Sequence, residues 1–256
     1  MNFRKNFIKI IGSQDYNKVE SIFLFKYVFI PLAWPISCLF IALGISPNKA
    51  TLLRLILIII SYLLILLHTD YVFIGFLLIY ISLVMDCVDG QISRTQDSAT
   101  HYGKFFDGLV DSILEITLPL IIAIAHYKIS NDVNVLLLGF SASLIYCTYV
   151  NVLIRSSNVF LNSGIEVSEQ DYKKSLPVFL RRLIFYFENR FLVDSFDIKY
   201  FVFPFLYFLN LTKEYILFLC IIYTLTLIIF LFLRLHKSFY FLNVKRKSKT
   251  YKSTAD

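Results

Sequence analysis

The sequence contains no Cys-x-x-Cys pair, and its four histidines, His68, His101, His126 and His236, are too dispersed to form a ligand cluster. Cys38, Cys87, Cys147 and Cys220 are scattered through apolar segments. Neither a disulfide framework nor a thiolate metal site is expected, and the cysteines read as small core residues. No internal repeat is evident. The N-terminus is polar and basic through Lys18 and lacks both an h-region and a small-residue cleavage site, so no signal peptide is expected there. Charge is sparse as well. Asp, Glu, Lys and Arg make up 17% of the chain, against 57% hydrophobic residues and a mean hydropathy of +0.68. That is more apolar than soluble domains usually are. Several runs approach or exceed the ~20 residues needed to cross a bilayer. The expectation is an all-α integral membrane protein with one helical bundle. The formal net charge is +7. Because the basic residues flank apolar segments, this excess points to membrane orientation and anionic head groups rather than nucleic acid.

Residues 1–20 are expected at the cytoplasmic surface. Residues 21–45 are apolar but carry Lys26, Pro31, Trp34 and Pro35. Two prolines four apart disfavour a regular span, and Trp and Lys belong at an interface. This segment reads as an amphipathic interfacial helix, with a seventh span as the alternative, and 1–45 is taken as a cytoplasmic N-terminal unit. Six spans are expected at roughly 50–68, 71–92, 103–126, 133–155, 198–211 and 214–235, within a catalytic domain of 46–236. Short connections on one side hold only Lys128 and Lys213. The other side holds many more basic residues, among them Arg94, Arg155, Arg181, Arg182 and the basic tail, 237–256. By the positive-inside rule, both termini and the connection after the second span are cytoplasmic. The long cytoplasmic loop, 156–197, has a polar first half and a basic, aromatic second half. It reads as a surface helix on anionic lipid or as a lid beside a site.

The chemistry concentrates between Asp86 and Asp111, in DCVDGQISRTQDSATHYGKFFDGLVD. Bare carboxylates are costly at membrane depth and mark functional sites by default. Asp86 and Asp89 are spaced i, i+3; Asp107 and Asp111 are spaced i, i+4. On helices each pair shares a face. Two such helices joined by a loop bring the four carboxylates together, where cations are needed to offset their repulsion. Oxygen-only ligands suit Mg²⁺ or Mn²⁺. Gly90 and Gly103 permit close backbone approach, and Arg94 is placed to clamp a phosphate. Upstream, Pro47-Asn48-x-x-Thr51 opens the first span, with Asn48 or Thr51 as a helix cap.

The pattern Asp-x2-Asp-Gly-x2-Ser-Arg-x8-Gly-x3-Asp-x3-Asp resembles the signature of the CDP-alcohol phosphotransferase family, membrane enzymes of phospholipid synthesis. Ser93 stands where that family usually has Ala. The Pro-Asn-x-x-Thr entry is similar to the family as well. The resemblance implies a transferase that displaces CMP from a CDP-alcohol, CDP-diacylglycerol being one option, when an acceptor hydroxyl attacks the β-phosphorus. It implies a two-metal site on Asp86, Asp89, Asp107 and Asp111, with Mg²⁺ or Mn²⁺ as cofactor. Asp111 doubles as general base, with Asp107 beside it in catalysis. It implies substrate contacts from Asn48, Thr51, Gly90, Arg94 and Gly103. Arg155, closing the fourth span, is a candidate contact to an anionic acceptor. A homodimer in the bacterial cytoplasmic membrane, with the site facing the cytoplasm, is also implied. Two other classes stay open. An aspartate-rich membrane prenyltransferase should carry a second acidic motif, which Asp194 and Asp197 do not make. A transporter would use the acids for ion passage.

Overall fold

The computed structural model describes residues 3–12, 25–162, 177–179, 181–182 and 203–253. Among them there is no strand. Helix α1 is Phe3–Gly12, and a π-helical turn, Phe25–Phe29, runs into α2, Ile30–Ala42. The bundle follows as α3 (Pro47–Leu67), α4 (Val72–Gln96), α5 (His101–Ser130) and α6 (Val133–Asn162). It closes with α7 (Phe203–Phe208) and α8 (Thr212–Ser253). Five described helices are long and apolar enough to cross a membrane: Pro47–Leu67, Thr69–Gln96, His101–Ser130, Val133–Arg155 and Thr212–Leu233.

Helix α3 shows how such a helix sorts its residues. It buries Ala50, Thr51, Arg54, Ile58, Ser61 and Ile65, a single face at helical spacing. It exposes Leu52, Leu53, Ile56, Ile59, Ile60 and Leu63. The polar residues lie inside and the large aliphatics outside, as expected where the solvent is lipid. The buried face packs on α4 and α5. Ser61 Oγ donates to the carbonyl of Gly75 on α4 at 2.7 Å. A Cβ on Gly75 would run into Ile65 Cγ1 and lie 3.1 Å from the Ser61 carbonyl, so glycine is what allows α3 and α4 this approach. Helix α5 then packs on α6, and α6 on α8.

In three places the structure adds detail that the sequence reading did not supply. The fifth expected span, 198–211, is described only as the short α7, which ends in a turn where Asn210 has φ 58°; residues 198–202 lie outside the described residues. The segment expected at the interface is helical over 25–42 and packs against α4 and α1. Pro31 sits in the first turn of α2, directly after the π-helical turn, and Pro35 lies inside the helix. Ser37 Oγ donates to Gln91 Oε1 at 2.7 Å, and Gln91 Nε2 donates to the Ile30 carbonyl at 3.2 Å, fixing α2 to α4. The N-terminal residues also do more than lie on a surface. In α1, Lys9 Nζ donates to the Thr95 carbonyl near the end of α4, and the Phe7 and Trp34 rings meet edge to face at 6.0 Å.

Several helices outrun the apolar runs that predicted them. Helix α6 continues through Asn162 and α8 through Ser253, into what reads as loop and basic tail. Helices do not need an apolar sequence once they leave the lipid. Most of loop 156–197 lies outside the described residues.

Candidate active site

Short turns at one end of the bundle bring the starts of α3 and α5 and the end of α4 to the other. Asp97, at φ 51°, caps α4, and Ser98 N donates back to the Ser93 carbonyl at 3.1 Å. The chain re-enters the bundle at Thr100, whose side chain accepts from Gly103 N at 2.9 Å and caps α5. This four-residue connection keeps α4 and α5 adjacent at the acidic motif.

Asp86 and Asp89 on α4 and Asp107 on α5 each point a carboxylate oxygen at a common centre. The three oxygens lie within 4.8 Å of one another. Asp111, one turn further along α5, is outside this trio. Its partner is Arg54 on α3, which the sequence presents only as one of many basic residues. The Arg54 side chain is 1% exposed. Its Nη1 donates to Asp86 Oδ1 at 2.5 Å and to Asp107 Oδ1 at 3.0 Å, and its Nη2 donates to Asp111 Oδ1. Asp89 is held instead by Thr51, whose Oγ1 donates to Asp89 Oδ2 at 2.7 Å. Thr51 does not cap α3, because the N-cap residue is Ser46. It lies one turn from Arg54, so one face of α3 serves all four carboxylates.

An open cavity of about 260 Å³ adjoins the acids. Its wall includes Asn48 and Thr51 from α3, Asp89, Gly90 and Arg94 from α4, and Gly103, Lys104 and Asp107 from α5. The connection adds Ser98, Ala99 and Thr100. The Arg94 guanidinium folds over Gly90, so a Cβ there would meet Nη1 at 3.1 Å. Asn48 crosses to Gly103, where a Cβ would meet its Oδ1 at 3.0 Å. Both glycines therefore make room for a polar side chain at the cavity wall. Arg155 is exposed at the far end of α6 and does not line the cavity. Arg181 and Arg182 are exposed too, and neither is part of the wall. Lys199 and Arg190 lie outside the described residues.

A signal for Arg54 is present in the sequence. An arginine in an apolar run, two turns inside a spanning helix, has to face the bundle interior and find acids there.

Fold and site together define a helical membrane protein with an acidic centre beside a polar cavity that also carries Arg94 and Lys104, open at one end of the bundle. The chain matches the model of the CDP-alcohol phosphatidyltransferase family over residues 44–188, more than half its length, and it belongs to that family. Comparison with curated proteins finds no match. Members of the family are transferases of substituted phosphate groups in lipid synthesis. This decides against the prenyltransferase and transporter alternatives.

Proposed function

We propose that this chain transfers a phospho-alcohol group from a CDP-alcohol, CDP-diacylglycerol being the leading candidate, to an acceptor hydroxyl, with release of CMP. The observation supporting the reading is the juxtaposition of the convergent trio Asp86, Asp89 and Asp107 with a cavity walled by Arg94 and Lys104. The trio offers only oxygens, at a separation that suits one hard divalent cation, Mg²⁺ or Mn²⁺. Such a cation would lie on Asp86, Asp89 and Asp107, with Asp111 in reach of a second, and would neutralise charge developing on the pyrophosphate.

The chain's own residues do the rest. Arg94 and Lys104 bind the diphosphate, the first with a fork that suits paired oxygens. Asn48, Thr51, Gly90 and Gly103 shape the wall against which the nucleotide lies. The Asp111 side chain is half-exposed, so an acceptor hydroxyl can reach it and give up its proton there as it attacks the β-phosphorus. Arg155 is assigned to the acceptor only if the acceptor is anionic. The site faces the cytoplasm of a bacterial inner membrane in this reading. The homodimer that the resemblance implied has no support from a single chain.

The test is product analysis. Purified protein is given a panel of CDP-alcohols and acceptors, and the lipids are read by mass spectrometry. A phosphodiester product with stoichiometric CMP supports the proposal, and absence of CMP with every donor refutes it. Cysteine labelling tests the orientation: Thr69→Cys and Ile129→Cys should label from outside the cell and Ser98→Cys should not.

A further inference from the structure

Arg54 does something to the acidic centre that the proposed reaction does not require of it. Two of the three convergent carboxylates, Asp86 and Asp107, already spend one oxygen each on Arg54 Nη1. The same guanidinium binds Asp111 through Nη2 and so ties it away from the trio. The side chain is 1% exposed and its Nε, also buried, has no hydrogen-bond partner among the described residues. A guanidinium keeps its charge under all physiological conditions, so it cannot leave the site by losing a proton. Nor can it swing into water without abandoning three charged partners. A divalent cation entering the trio therefore meets a fixed positive charge on the same carboxylates.

We infer that Arg54 is a built-in competitor of the metal, a permanent counter-ion that weakens divalent-cation binding at Asp86, Asp89 and Asp107 while holding the acidic centre together. The inference rests on the metal-dependent reading above. It makes Arg54 a positioning residue with a consequence opposite to that of a ligand or a simple scaffold. Removing a ligand, or loosening the centre, weakens metal binding. Removing a competing charge strengthens it, because the repulsion between two cations a few ångströms apart at a shielded site is large.

The experiment is a Mn²⁺ titration of purified full-length protein in detergent, following the free Mn²⁺ signal by electron paramagnetic resonance at fixed pH and salt. Arg54→Gln, which keeps donor groups and loses the charge, should bind Mn²⁺ at least about tenfold more tightly than wild type. Arg54→Lys, which keeps the charge, should stay within about twofold of wild type. Arg54→Gln alone leaves a buried carboxylate cluster without its counter-ion and risks misfolding. The charge-balanced double variant Arg54→Gln/Asp111→Asn covers that case. Asp111→Asn removes the same carboxylate from both proteins compared, so the double variant is read against Asp111→Asn alone and should bind Mn²⁺ more tightly than it does. Equal or weaker binding in a folded Arg54→Gln against wild type, or in the double variant against Asp111→Asn, overturns the inference, as does tight binding by Arg54→Lys. If wild-type protein binds no Mn²⁺ at all, the metal-dependent reading itself fails, a distinct result from equal binding across the series.

Discussion

The two ends of the bundle both place cations beside carboxylates, and they use them differently. At the end opposite the cavity, Lys213 Nζ lies 2.6 Å from Asp132 Oδ2, and Lys128 Nζ donates to the Leu66 carbonyl at the end of α3. The Lys213 side chain is 45% exposed, and these groups sit on short turns and tie neighbouring helix ends together. At the cavity end, one buried guanidinium serves three carboxylates and a threonine holds the fourth. An exposed ion pair is screened and contributes little. A buried guanidinium dominates its surroundings, because it has no water to turn to and must keep its charged partners. The same residue types therefore make a fastening at one end and a reactive centre at the other, and the burial of the cation separates the two.

The largest expected contrast is in catalysis. Asp86→Asn, Asp89→Asn and Asp107→Asn should each lower CMP release by about a thousandfold or more, the scale on which preorganised charge stabilisation is lost. Asp132→Asn, at the other end, should leave the rate unchanged. A steady-state CMP assay on folded variants decides this, and an active Asp89→Asn would break the contrast.

Stability should follow the same division. Arg54→Ala leaves the carboxylates without their internal partner and should cost about 3–5 kcal/mol. Lys213→Ala should leave the unfolding midpoint in detergent where it was. Arg94→Lys comes next. It keeps the charge at the cavity wall and loses the fork, so the affinity for CDP-alcohol should fall by about tenfold, near 1.4 kcal/mol, with the unfolding midpoint unchanged. Calorimetric titration with the CDP-alcohol reads this directly.

The smallest effect is the pH response of the exposed pair. Hydrogen bonding from Lys213, and then from the Asn134 backbone N–H, holds the Asp132 carboxyl below its usual range. A carboxyl with a depressed folded-state pKa contributes stability above its unfolded value and loses it as pH falls through the folded one. Wild type and Asp132→Asn should therefore keep any difference constant from pH 5 to 8 and converge only below about pH 4. A difference that changes near neutrality would show that another group titrates there.

Much of this arrangement is legible in the sequence. Two aspartate pairs at helical spacing, interrupted by a short polar connection, indicate both the hairpin and the convergence of its acids. The asymmetry of Lys and Arg along the chain predicts that hairpin and both termini on a single side, which the cysteine labelling tests. What is not legible depends on tertiary contact. The depth of Arg54 in its span indicates that it faces the interior, but only packing α3 against both α4 and α5 shows which three acids surround it. Thr51 reads as a cap, because a threonine four residues after Pro47 looks the same whether it turns to the backbone or across to Asp89. Helix α1 is polar enough to pass for a surface segment, and its docking rests on the contacts of Phe7 and Lys9. Hydropathy sets the boundaries of α6 and α8 too short, because it reports the lipid and not the helix.

The most direct test of the central claim is CMP release from CDP-diacylglycerol and the other CDP-alcohols by purified protein, measured with chelator and then with added Mn²⁺ or Mg²⁺, for wild type and Asp107→Asn. The account predicts no release in chelator, recovery on adding either ion to wild type, and no recovery in a folded Asp107→Asn. Release by wild type that persists in chelator, or recovery in Asp107→Asn equal to wild type, would contradict it.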